Sequence, residues 1–352
     1  MDANPFLGVF LHAIGGLAAG SFYIPFRRVK GWVWECYWLA GGVFSWIIAP
    51  WVAAWIIVPD PIGVLRDAPV GALAASFGFG VLWGIGGLTF GLSMRYLGMS
   101  LGYALALGMC AAFGFIIPPL ASGELTHMVA TPSGVVILAG VAVCLLGIAV
   151  CGQAGARKER ELPDEQKKVA IREFNFAKGV WVALFAGVMS ACMALGIAAG
   201  KPIGDLAVER GTPDLWRNIP VWIVIMAGGF VTNCVWCVFL SVKNKTAGDY
   251  LKGGASLLPN YLFSALAGIT WYCQFFFYGM GTTQMGKYDF SSWTIHMAFI
   301  IVFSNLWGIQ FREWRGAGRK TVTLVWAGIG ILVLSTIVVG YGNYLGSLAK
   351  GA

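Results

Sequence analysis

Charge is what this chain has least of. Asp, Glu, Lys and Arg make up 11% of its 352 residues and hydrophobic residues 58%. Soluble domains carry about 25% charged residues, so the composition excludes a water-soluble globule and demands a lipid environment. Histidine is almost absent, with only His12, His127 and His296. There is no H-E-x-x-H, no G-x-S-x-G and no phosphate-binding loop, so metal-based and nucleophile-based enzymes lose their machinery. The expectation is a non-enzyme that needs no cofactor and no metal. The eight cysteines lie in or at the edges of apolar runs and form no disulfide framework. Cys234 and Cys237 have C-x-x-C spacing, but inside an apolar run they read as small packing residues. A positive n-region is also missing at the N-terminus, and the apolar stretch from Pro5 to Phe26 is too long for a cleaved signal, which reads as a retained helix.

Apolar stretches of about 20 residues, the length that spans the hydrocarbon core, are there in number. They fall at 5–26, 33–58, 69–94, 99–121, 133–151, 179–200, 218–241, 257–280, 288–310 and 321–346. The longest polar connection, 153–178, reads as a cytoplasmic surface linker, helical in part. The expected architecture is all-α and integral to the membrane, with ten transmembrane helices as two inverted five-helix repeats. Residues 1–152 form the first repeat and 179–352 the second. An offset of 188 pairs Trp83 with Trp271, Gly91 with Gly279 and Gly98 with Gly286. Five helices per half invert the second half, a recurrent transporter plan with its site near the midplane.

The net charge of +8 invites a nucleic-acid partner. The basic residues instead cluster in short connections of one parity, holding 18 of the 24, while the acids show no such bias. That is membrane orientation by the positive-inside rule. It excludes nucleic acid and places both termini in the periplasm, with the lipid bilayer as the chain's surroundings.

Polar and ionisable side chains at membrane depth are costly and mark function. The stretch 271–297 concentrates them: Trp271, Gln274, Tyr278, Lys287, Tyr288, Asp289 and His296. Aromatic faces and neutral hydrogen-bonders suit a neutral polyhydroxylated solute, and the wall candidates are Trp83, Trp271, Gln274, Tyr278, Tyr288, Ser21, Tyr23 and Asn233. Candidates for proton coupling are Asp289, Glu35 and His296, in that order. His12 is a weaker candidate that reads first as a helix-packing residue hydrogen-bonded to a neighbour, and His127 and Lys287 read as solvated. Glu35 with Arg95, and Lys201 with Asp289, put one acid and one base near each membrane face. They are either gates or solvated interfacial groups.

FYIPFRRVKGWVWE (22–35), MRYLGMSLG (94–102), WYCQFFFYGMG (271–281), YDFSSWTIHM (288–297) and REWRGAGRKTV (312–322) resemble the bacterial L-rhamnose–proton symporters of the drug/metabolite transporter superfamily. The resemblance runs the length of the chain. It implies the inverted ten-helix fold and proton-driven uptake of a 6-deoxyhexose, or a related sugar, across the inner membrane. Glu35, Arg95, Gln274, Tyr288, Asp289 and His296 match that pattern. An exporter of amino acids or cationic drugs on the same scaffold is the alternative.

Overall fold

Apolar runs bounded by glycine, proline and basic residues become helices throughout the computed structural model, which describes residues 3–97, 99–161, 176–252, 254–312 and 314–351. In chain order they are α1 (Pro5–Ser21), α2 (Tyr23–Phe26), α3 (Trp34–Gly42), α4 (Ala49–Ile57), α5 (Pro61–Asp67), α6 (Val70–Leu97), α7 (Met99–Ala121), α8 (Glu124–Val129) and α9 (Pro132–Glu161). Then follow α10 (Phe176–Ala199), α11 (Lys201–Glu209), α12 (Ile219–Lys243), α13 (Leu257–Thr283), α14 (Ser292–Gln310) and α15 (Arg319–Gly351). No strand occurs among the described residues.

Each of the ten apolar stretches becomes helix. Eight spans among the described residues are both long and apolar enough to cross a membrane, as in a multi-pass membrane protein. The two others are α7, whose apolar part is the shorter Leu105–Ala121, and α13, which has 27 residues. In α13 the polar side chains of Asn260, Ser264, Gln274 and Thr282 dilute the hydropathy, and all four are buried. The expected linker is helical at both ends. Helix continues to Glu161 and resumes at Phe176, while residues 162–175 lie outside the described residues.

The chain divides into two compact units. The first comprises Met1–Leu17, Gly86–Ala194 and Gly281–Ala352. Its spine is the antiparallel pair α9 and α15. Gly140 faces Val339, Gly147 faces Leu332, and Gly342 faces Ile137, with a glycine Cβ at any of these falling under 3 Å from its neighbour. Such small residues let helix backbones approach, which is how helices associate where lipid removes the hydrophobic drive. Ser133 Oγ donates to the Gly342 carbonyl at 2.6 Å. At the opposite end of the pair Glu161 accepts from the Gly318 N–H and the Thr321 hydroxyl, both at 2.7 Å, and so caps the start of α15. Phe115, Met128, Ile137, Tyr288, Ile295 and Val339 fill the core.

The second unit comprises Ala18–Ile85 and Leu195–Met280. Here α12 packs on α3, α4 and the six-residue π-helical turn Val43–Ile48 between them. Pro50, at the start of α4, has no N–H to give to the carbonyl four residues back, so the regular ladder breaks there. Outside the spans Arg210 Nη2 meets Asp67 Oδ2 at 2.7 Å. The Arg66 and Arg210 guanidiniums hold the Asp67 carboxyl down at about 2.

Candidate functional site

In the second unit the π-helical turn carries Ser45 and Trp46 into a box of aromatic rings. Trp83 and Trp271, paired by the 188-residue offset, meet with centroids 5.8 Å apart and planes 33° off parallel. Trp46 stands edge-on to both, at 6.5 Å and 6.1 Å. Phe22 closes on Trp271 at 5.3 Å and Phe275 at 5.5 Å. Two glycines make this possible: a Cβ at Gly42 would collide with the Trp46 ring, and one at Gly229 with the Trp83 ring. Trp38 is fixed by its indole N–H, which donates to Asn233 Oδ1 at 3.0 Å, and Asn233 Nδ2 donates to the Gly229 carbonyl at 2.9 Å.

The box is rich in enclosed polar atoms. Ser45 Oγ, Trp46 Nε1 and Trp271 Nε1 are all buried without a hydrogen-bond partner. Unsatisfied groups of this kind cost free energy and are rare in native interiors, so several in one place call for an explanation. The void they share with Phe22, Phe26 and Trp38 is about 10 Å³, room for a single water. A monosaccharide does not fit this void with the rings as they stand.

The other wall candidates scatter. Gln274 and Tyr278 are buried on α13, with the Tyr278 ring 6.1 Å from Trp222. Tyr23 is 45% exposed, its ring against Phe22 and Trp38, and Ser21 is half-buried. Tyr288, expected in the wall, is a core residue of the first unit, its hydroxyl 3.2 Å from that of Thr131.

Among the ionisable candidates, Glu35 is buried in the first turn of α3. Its Oε1 accepts from Asn244 Nδ2 at 2.9 Å and from Thr246 Oγ1 at 3.0 Å, an arrangement suited to a carboxylate. Asp289 is exposed, in the 3-10 turn Gly286–Ser291 ahead of α14. Lys201 is exposed at the first turn of α11, and the side chain of Arg95 lies outside the described residues. His127 and Lys287 are exposed as expected, with Nδ1 and Nζ 3.5 Å apart.

His296 is fully buried in the first unit, and so is His12. Their rings meet edge-on with centroids 6.2 Å apart, bringing α1 and α14 together. Gly281 makes room for them, since a Cβ there would lie 2.6 Å from His12 Cε1. His12 is the weaker coupling candidate by sequence, and its meeting with His296 is not legible there, because 284 positions separate the two and no local pattern links them. Trp38 and Trp46 were likewise missed among sixteen tryptophans.

A family model described as L-rhamnose-proton symport protein (RhaT) matches residues 1–344. A Cronobacter sakazakii protein named L-rhamnose-proton symporter is 37% identical over 340 residues, covering 96% of this chain and 97% of the relative. Proteins of the same name from Klebsiella pneumoniae and Yersinia pestis are each 36% identical over the same length and coverage. The match spans both compact units, and the chain belongs to the L-rhamnose-proton symport protein family.

Proposed function

We propose that this protein is a secondary active transporter, not an enzyme, that takes up L-rhamnose or a closely related monosaccharide together with protons by alternating access. It would sit in a bacterial inner membrane with both termini in the periplasm, its ten helices forming two inverted five-helix repeats of the drug/metabolite transporter type. The observation that carries the sugar reading is the aromatic box. Ring faces of Trp46, Trp83 and Trp271 cover the C–H and methyl surfaces of a 6-deoxyhexose, and the enclosed Ser45 hydroxyl and two indole N–H groups pair with its hydroxyls. A neutral solute needs no buried arginine to balance it.

For the proton, the buried pair His12 and His296 is favoured over the carboxylates. Glu35 already holds two donors and Asp289 is exposed, whereas the two imidazoles are enclosed side by side, with ring centroids 6.2 Å apart, and histidine is a common proton shuttle. The Glu35/Arg95 and Lys201/Asp289 gates stay part of the proposal as charges at the two membrane faces. The exporter alternative gains nothing from the site, since the relatives are named as sugar symporters.

The test is uptake of labelled L-rhamnose by proteoliposomes under an inward proton gradient. Accumulation that collapses with a protonophore is the expected result. Absence of sugar uptake, with proton-driven movement of a lipophilic cation instead, would overturn the proposal.

A further inference from the structure

Away from both candidate sites, the Glu161 end of the α9–α15 pair carries a concentration of positive charge that transport does not use. The membrane span within α9 ends at Lys158 and that within α15 begins at Arg319. The side chains on either side of these points therefore stand near headgroup level. There Ala156, Arg157, Arg160, Arg319, Lys320 and Leu324 line a groove of about 770 Å³. Arg157, Arg160, Arg319 and Lys320 are all exposed, and the groove floor is partly apolar. A second groove of about 380 Å³ follows along α15, where Arg312 and Arg315 share the walls with Trp314 and Trp326. Lys158 Nζ lies 4.9 Å from the Trp314 ring centroid.

Among the described residues no acid lines either groove. The Glu161 carboxylate, at the end of α9, is committed to Gly318 N–H, the Thr321 hydroxyl and Arg157 Nε. A cationic groove with apolar walls and flanking tryptophans, at the level where a span ends, matches a phosphodiester headgroup with its acyl chains beside it. We propose that this groove is a binding site for an anionic glycerophospholipid, with the phosphate held by Arg160, Arg319 and Lys320 and the acyl chains lying along α15.

The same cations would attract free phosphate, and the apolar wall is what distinguishes the two ligands. Purified protein is exchanged into neutral detergent and offered phosphatidylglycerol, phosphatidylcholine or inorganic phosphate. Bound lipid is read by native mass spectrometry and melting by thermal shift. Phosphatidylglycerol is expected to stay bound and raise the melting temperature, while phosphatidylcholine and inorganic phosphate do neither.

Arg160→Gln/Lys320→Gln removes two cations that lie outside the Glu161 hydrogen-bond network. Each charge near an anionic lipid contributes about a fivefold factor, so the double variant should lose about 25-fold in affinity for phosphatidylglycerol. Gln153→Glu adds an opposing charge at an exposed lining position and should weaken the same lipid. It gives a second reading should the double variant fail to fold. Equal retention of both lipids, equal stabilisation by inorganic phosphate, or a folded variant with unchanged affinity would each overturn the proposal.

Discussion

The indole rings of Trp83 and Trp271 lie 5.8 Å apart, tilted by 33°, although one belongs to α6 and the other to α13. Trp271 Nε1 is enclosed there without a hydrogen-bond partner. A sugar hydroxyl would satisfy it, which separates the effect of the ring face from that of the N–H.

Trp271→Phe keeps a face and loses the donor, worth about 1 kcal/mol, so the KM for L-rhamnose should rise about fivefold with little change in the maximal rate. Trp271→Ala also removes the face, worth about 0.5–1.5 kcal/mol more in ring contacts, and should raise KM further. Uptake kinetics in membrane vesicles check both variants. A wild-type KM in Trp271→Ala would move the sugar elsewhere.

If His12 and His296 carry the proton, replacing either should uncouple sugar from proton without abolishing sugar binding. His296→Asn and His12→Asn are expected to lose accumulation against a gradient yet keep sugar counterflow. Gly281→Ala, which crowds the His12 ring, should cost about 1–3 kcal/mol of stability through overpacking. Retained accumulation in both histidine variants would return the coupling role to a carboxylate.

Glu35 offers the complementary test. Glu35→Gln keeps a carbonyl oxygen toward Asn244 Nδ2 and Thr246 Oγ1 and should melt near wild type with accumulation intact. Glu35→Ala leaves both donors to find water and should cost about 1–2 kcal/mol, seen as a drop of a few degrees in melting temperature. Loss of accumulation in a stable Glu35→Gln protein would make Glu35 the proton carrier.

The α9–α15 junction should be acid-sensitive. Hydrogen bonds from the Gly318 N–H and the Thr321 hydroxyl, with Arg157 alongside, hold the Glu161 carboxyl below its ordinary range. Its folded-state value therefore lies under the unfolded one, so the stabilisation is complete above about pH 4.3 and is lost as pH falls through the folded value. Amide exchange at residues 318–322 should accelerate in that acid window, and Glu161→Gln should flatten the pH dependence.

Much of this was readable along the chain. Each apolar stretch became helix, because crossing lipid forces every backbone group into an internal hydrogen bond. Trp83 and Trp271 could be singled out along the chain, but not their contact, because a repeat offset marks equivalent positions and does not say that they touch. Trp46 was not readable, since its place depends on a π-helical turn that shifts the register of the residues beyond it. Nor was how far helix runs into the expected linker. Residues up to Glu161 stay helical where Glu161 caps α15, a partner more than 150 residues downstream. Asp289 reads by sequence as either a gate or a solvated interfacial group, and the 3-10 turn ahead of α14 leaves it exposed.

Composition and period alone determined that this protein is helical and membrane-bound, because hydropathy and span length are properties of contiguous residues. The tertiary structure decided which few of its many aromatic and ionisable side chains meet. The box around Trp271 and the contact of His12 with His296 each join segments more than 180 positions apart, through glycines that let rings and helices close on one another. Such meetings depend on close packing in space, which no local window of residues records.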